Sequence, residues 1–303
     1  MEETNILIQT KRAEVLPDHF TGRKTKDRLF LAAVIFFSLI TISFVFLIIG
    51  SLVLKGYHQI NWAFFTQVAP DTFTAMMAKS NGELIPGGIV NGITGSLYLV
   101  GIASLIAIPF GVLIGIYLYE NSNKRYAGII RDITDVLQGV PSIVVGLIVY
   151  LWVVVKITHG YSVLAGSVAL ALMMLPLIIR STEESMKMIP DTLKEAAIAL
   201  GTPYYKVIFR VLIPTSFSGL MTGILLAVSR ILGETAPLML TTLGNPAINW
   251  NVTKPVSAVP LLIWQFYNDP NMVDLIWSST LFLMGFVLIL NLLSKWIARK
   301  RNQ

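Results

Sequence analysis

Arg230 and Glu234 stand four residues apart in the run SRILGETAPL, inside a stretch that is otherwise apolar from about Ser216 to Leu240. Four residues is one turn of helix, so both side chains are expected on one helical face. At about 1.5 Å per residue from Ser216, Arg230 would lie about 20 Å into a bilayer, where exposure to lipid costs at least about 2.5 to 3.5 kcal/mol. It is therefore expected to face the interior of a helix bundle. A guanidinium offers planar, bidentate donors to a phosphate-like oxyanion and stays charged, and Glu234 can neutralise it when no anion is bound. The plainer alternative is an ion pair that only pins helix packing. Pro237 is expected to loosen the helix just beyond the pair and free a backbone carbonyl.

A second polar stretch, Glu195 to Pro214 (EAAIALGTPYYKVIFRVLIP), lies between two apolar runs. It reads as two short helices around a hinge. Thr192 and Glu195 have the spacing of a capping box, and Gly201 stands where a helix takes its left-handed terminal residue. Thr202 and Pro203 restart the chain as N-cap and first helical residue, and Pro214 is expected to end the second helix. On that helix Tyr204, Ile208 and Val211 fall on one side, and Lys206 and Arg210 on another. An aromatic-rich, basic-edged helix between spans suits docking on a partner protein, with an interfacial helix resting on lipid as the alternative.

The elements that must position these residues are membrane spans. Hydrophobic residues make up 54% of the 303-residue chain and charged ones only 13%, and the mean hydropathy is +0.70, which excludes an ordinary soluble fold. The expected architecture is all-α and polytopic. Residues 1–28 read as a basic cytoplasmic tail, 29–54 as a first span, 55–89 as an extracytoplasmic loop, 90–298 as a core of five further spans and 299–303 as a cytoplasmic tail. Within the core, spans are expected at 90–119, 143–157, 163–179, 216–240 and 275–298, with the hinged loop at 181–214 and an interfacial helix near 126–137. Gly111 and Gly115 form a GxxxG, a weak packing signal. Of the 23 Lys and Arg, only Lys55, Lys79, Lys156 and Lys254 fall on the outer side and Arg230 within a span. The remainder place both termini in the cytoplasm by the positive-inside rule.

Several chemistries are absent from the residues. There is no cysteine, and the three histidines, His19, His58 and His159, are scattered without ligand spacing, so no metal site is expected. No G-x-x-x-x-G-K-[ST] occurs, so ATP is not expected to bind here through a P-loop. No nucleophile and base accompany Arg230 and Glu234, which argues against an enzyme. A proton-coupled secondary transporter working through Glu234 would leave the hinged loop without a purpose.

Glu195-Ala196-Ala197, three residues, Gly201, nine residues, then Val211, one residue, Ile213-Pro214 resembles the EAA loop of ABC importer permeases. The run RILGETAPL resembles the fifth-span signature of the permeases of the Pst phosphate importer. Further matches are TGSLYLVGIASLIAIPFGVLIGIYLYE, Thr134-Asp135 through GVPSIVVGL, and the segment from Pro255 to Pro270. Ala-Pro after Glu-Thr and the VPSIVVGL stretch are more similar to the A-type permease than to its C-type partner. The resemblance implies a type I ABC importer permease in a bacterial or archaeal cell membrane, with a second permease subunit, a cytoplasmic ATPase dimer that uses ATP and an extracytoplasmic phosphate-binding protein. It implies no cofactor in this chain. It implies ATPase coupling through Glu195, Ala196, Ala197, Gly201, Tyr204, Tyr205 and Pro214, and a substrate pathway past Arg230 and Glu234. A permease for molybdate or sulfate is the alternative within the same class.

The orientation is testable directly, since no native thiol gives background. A cysteine at Asn81 is expected to react with impermeant thiol reagents from outside the cell and one at Thr202 is not; the reverse pattern would invert the topology.

Overall fold

The computed structural model describes residues 19–301, with side chains from 26 to 296. Of the basic tails expected at 1–28 and 299–303, residues 1–18 and 302–303 lie outside the described range and the rest is helical. The chain divides into two units, Met1–Leu54 and Lys55–Gln303. Helix α1 (His19–Gly56) supplies the first. Its apolar stretch has a mean hydropathy of 2.8 with none of it buried, the property of a helix that is apolar on every side and long enough to cross a bilayer.

The second unit opens with two short helices, α2 (Trp62–Thr66) and α3 (Thr72–Asn81), in the expected loop. The 31-residue α4 (Val90–Glu120) follows, then α5 (Arg125–Gly139) and α6 (Ser142–Thr158), which meet at a bend of 103°. That bend falls where Gly139-Val140-Pro141 interrupts the helix, as the turn residues suggest. Next come α7 (Val163–Lys187), α8 (Asp191–Ala199), α9 (Tyr204–Ile231), α10 (Ala236–Thr241), α11 (Val259–Tyr267) and α12 (Val273–Arg301). Five of the described helices are long and apolar enough to span a membrane, or six if the bent pair α5 and α6 counts as one span. The chain is a polytopic all-α membrane protein.

The centre of the unit is the packing of α4 on α7. In a bilayer no hydrophobic drive brings apolar helices together, so association rests on close backbone approach and dispersion. Here the GxxxG supplies that approach: a Cβ on Gly111 would sit 2.7 Å from Ile178 Cγ2, and one on Gly115 would sit 2.5 Å from Thr182 Cβ and 2.8 Å from the Ile179 carbonyl oxygen. Around this seam Leu99, Ala103, Ala107, Leu170, Met174 and Ile178 are fully buried. α9 approaches the other side of α7, with Gly219 and Gly223 lying against Ser185 and Ser181.

Two expectations about helix boundaries are corrected. The fifth span is not one helix from 216 to 240: α9 ends at Ile231 and α10 starts at Ala236, so Pro237 heads a new helix instead of loosening an old one. Pro214 does not terminate a helix either. The turns at Ile208–Leu212 are π-helical, and the N–H of Ile213 donates to the Ile208 carbonyl five residues back. This wider turn lets the chain pass Pro214 without the clash that ends an ordinary helix. The outer segment before the sixth span, to which no helix was assigned, contains α11, with Leu261, Leu262 and Phe266 buried.

The glycine seam yields a prediction. Gly115→Val is expected to lower the melting temperature of the detergent-solubilised chain by the equivalent of about 1 to 3 kcal/mol of overpacking, whereas Gly101→Val, which meets no atom within 4 Å, should leave it near the parent value.

Candidate functional site

The hinge between α8 and α9 has the glycine-centred turn its sequence suggests, but its N-caps lie at Pro190 and Pro203 instead of Thr192 and Thr202. The N–H of Gly201 donates to the Ile198 carbonyl at 2.8 Å and that of Thr202 to the Ala197 carbonyl at 3.3 Å, the paired bonds of a Schellman motif. Gly201 has φ +76°, a left-handed conformation that glycine adopts without strain. The expected caps are not formed: Pro190 and Pro203 occupy the N-cap positions, and neither helix has a side-chain cap bond there. Thr192 and Glu195 therefore make no capping box.

α8 buries none of its residues. Glu195 and Ala196 are exposed and Ala197 half-buried, and the surface around them carries Leu200 at 85%, Tyr205 at 60% and Phe209 at 61% exposure. Tyr204 and Pro214 are exposed as well. The face of α9 that packs inward is set by the π-helical turn. Val207 and Leu212, five residues apart, are both fully buried in a cluster with Ile116 and Met186, and Ile208 and Val211 pack against it half-buried while Tyr204 is exposed. Lys194 ties α8 to its neighbours. Its Nζ lies 2.9 Å from Glu120 Oε2 at the end of α4, 5.4 Å from the Tyr119 ring centroid and 5.2 Å from that of Tyr204.

Arg230 and Glu234 are separated by the break between α9 and α10. The N–H groups of Gly233 and Glu234 close tight turns onto Arg230 and Ile231, so the two side chains do not share a helical face. Arg230 is exposed and Glu234 half-buried, and among the described residues no ion pair joins them. The break is held from the side by α6, where a Cβ on Gly146 would stand 2.7 Å from Pro237 Cα.

One charged group escaped the sequence reading. Glu183 on α7 is 1% exposed, with Oε1 2.7 Å from Arg131 Nη2 and 2.6 Å from Lys187 Nζ, and Oε2 3.8 Å from Arg180 Nη1. Arg180 in turn pairs with Asp135. The spacing of Arg180, Glu183 and Lys187 on one helix was a visible signal, but Arg131 and Asp135 are about 50 residues away and only the fold brings them in. At the opposite end of the unit lies a polar cavity of about 360 Å³, lined in part by Asp71, Asn91, Asn245, Gln265 and Asp269. It contains no basic residue, and the backbone N–H of Asn271 holds the Asp269 carboxyl below the usual carboxylate range. A carboxylate that stays charged makes this cavity a poor anion site.

Membrane spans packed through glycine, with an exposed apolar hinge between two of them, define the membrane subunit of a transport assembly. The chain belongs to the family described as binding-protein-dependent transport system inner membrane component, whose pattern matches residues 107–303. It is 40% identical over 283 residues to the phosphate transport system permease protein PstA of Yersinia pestis, covering 92% of each chain. It is 37% identical over 279 residues to the PstA of Haemophilus influenzae, covering 91% of this chain and 95% of that one. Among solved structures the fold is shared with the MetNI methionine ABC transporter in an inward-facing conformation, at TM-score 0.60 and 18% identity over 71% of this chain and 96% of that one. It is shared also with a bacterial importer of the polysaccharide alginate, at TM-score 0.59 and 14% identity over 91% and 98%.

Lys194 is the group that holds α8 in place, so Lys194→Met is expected to speed amide hydrogen exchange across Asp191–Ala199 by about threefold to tenfold while exchange in α4 and α7 stays at the parent rate. Unchanged exchange in α8 would show that its backbone bonds alone hold it.

Proposed function

We propose that this chain is one of two permease subunits of an ATP-driven inorganic phosphate importer. Arg230 carries the reading. A permanently charged guanidinium is exposed on the surface of the single chain, beside a helix break in a membrane span, and lipid contact there would cost several kcal/mol. A second permease subunit that closes a water-filled pathway against this face removes that cost. The broken helix presents backbone groups to the same pathway, and a water-filled pathway is one of the settings in which irregular backbone is tolerated at membrane depth. Arg230 would stabilise a partly dehydrated phosphate in passage, with Glu234 in the adjoining break limiting how tightly it is held, because a conducted ion must also leave. The names of the relatives point to the same anion.

In this reading the basic end of the bundle is cytoplasmic, and both termini lie there. A cytoplasmic ATPase dimer binds ATP and seats on the exposed surface of Glu195, Ala196, Ala197, Gly201, Tyr204 and Tyr205, with Pro214 in the adjoining turn of α9. An extracytoplasmic binding protein delivers phosphate at the opposite end. The chain hydrolyses nothing itself; closure of the ATPases moves α8, and the bundle alternates its access.

The test is phosphate uptake by the reconstituted complex at matched membrane levels. Labelled phosphate should be displaced by arsenate and not by sulfate or molybdate; the opposite order would reassign the anion. Arg230→Met with Glu234→Gln should assemble and fail to transport, and Arg230→Lys, which loses the planar fork, should fall about tenfold. Uptake near the parent rate in the double variant would remove Arg230 from the pathway.

A further inference from the structure

Glu183 sits where α7 meets α5 and the end of α4. It lies on α7, four residues before that helix ends at Lys187 and leads through Met188, Ile189 and Pro190 into α8. Across from it stands α5, the helix that turns through 103° into α6. Arg131 of α5 is bound on both sides: Nε donates to Glu183 Oε1 at 2.8 Å, while Nη2 and Nη1 donate to the Leu118 and Ser122 carbonyls at the end of α4, at 3.0 and 3.2 Å. One turn further along α5, Asp135 accepts from Arg180 Nε at 3.0 Å. The two helices are thus joined at two successive turns by crossed ion pairs, each with its acid on a different helix.

Steric packing does not require this arrangement. Apolar side chains of similar volume hold helices together as firmly as a buried ion pair does. What the charged pairs add is register, because α5 can be bound only in the position where Arg131 reaches Glu183 and Asp135 reaches Arg180 together. The bond to Arg180 is also slack. Glu183 Oε2 is buried without a hydrogen bond and meets Arg180, one turn earlier on the same helix, only at 3.8 Å, so the hold on α5 at Glu183 is made through Oε1 and Arg131.

We infer that Glu183 is a positioning residue that clamps α5 to α7, so that displacement of α8 is delivered to the bend between α5 and α6. The inference rests on the permease reading above. From that bend the motion reaches α10, since Gly146 of α6 lies against Pro237, and so arrives beside the break that carries Arg230 and Glu234. Without the clamp, α8 and α7 move while α5 and α6 lag, and ATP is hydrolysed without opening the pathway.

The experiment uses the complete importer in proteoliposomes and reads phosphate moved per ATP hydrolysed. Glu183→Gln keeps the shape and removes the charge, and is expected to lower that ratio at least about fivefold at equal levels of complex. Arg131→Cys with Glu183→Cys should show the same loss, and a short bifunctional thiol cross-linker bridging the two positions should restore the ratio toward that of the parent. This chain has no other cysteine, so within it the bridge forms only between these two positions. A clamp that served only folding would lower the amount of complex and leave the ratio per complex unchanged, which would overturn the inference. If Glu183→Gln fails to assemble, the cross-linked cysteine pair decides: a ratio that stays low after bridging overturns it too. A parent complex that moves no phosphate would instead refute the permease reading.

Discussion

Backbone that leaves the helix inside a membrane must find hydrogen-bond partners in protein, and most of this fold follows from that constraint. The start of α7 shows how it is met. The N–H of Ala165 donates to Ser162 Oγ, and those of Ser162, Val163 and Leu164 donate to the carbonyls of Thr241, Lys254 and Val252. The segment between α10 and α11 is thereby fixed against α7, and its irregular path is the cap of a neighbouring helix. The break at Gly233 and Glu234 is met differently, by tight turns onto the preceding residues, which leaves its side chains free to serve the exposed face.

Glycine fixes how closely the helices can follow this plan. Gly111 and Gly115 bring α4 onto α7, Gly219 and Gly223 bring α9 onto the same helix, and Gly146 admits Pro237. The result is that α7 is touched from several sides while α8, which follows it directly, buries nothing. A rigid central helix therefore ends in an exposed one, and the ion pairs around Glu183 and Lys194 stand at the junction.

What the sequence made legible divides along a physical line. The long spans were readable because twenty or more apolar residues have few other fates, and the hinge was readable because Gly201 fills a left-handed position that few residues tolerate. The features that were missed depend on contacts distant in the chain. The nine residues of α11 are too short for periodicity to separate helix from loop, and they are helical because Leu262 and Phe266 bury against neighbours. The end of α9 at Ile231 was concealed by a stretch that is apolar apart from Arg230 and Glu234, although Gly233 and the Pro237 that follows were both helix-boundary residues. The π-helical turn before Pro214 left no sequence mark except the five-residue spacing of Val207 and Leu212.

The continuity of α9 through Pro214 has a geometric consequence. A rod of 28 residues from Tyr204 to Ile231 is roughly 40 Å long at about 1.5 Å per residue. It begins beside the exposed hinge and ends at Arg230. Tilting such a lever by about 5° around its first turn carries its far tip about 3.5 Å, comparable to the diameter of a water molecule. Had Pro214 ended the helix, the same tilt would have dissipated in a flexible joint less than halfway along.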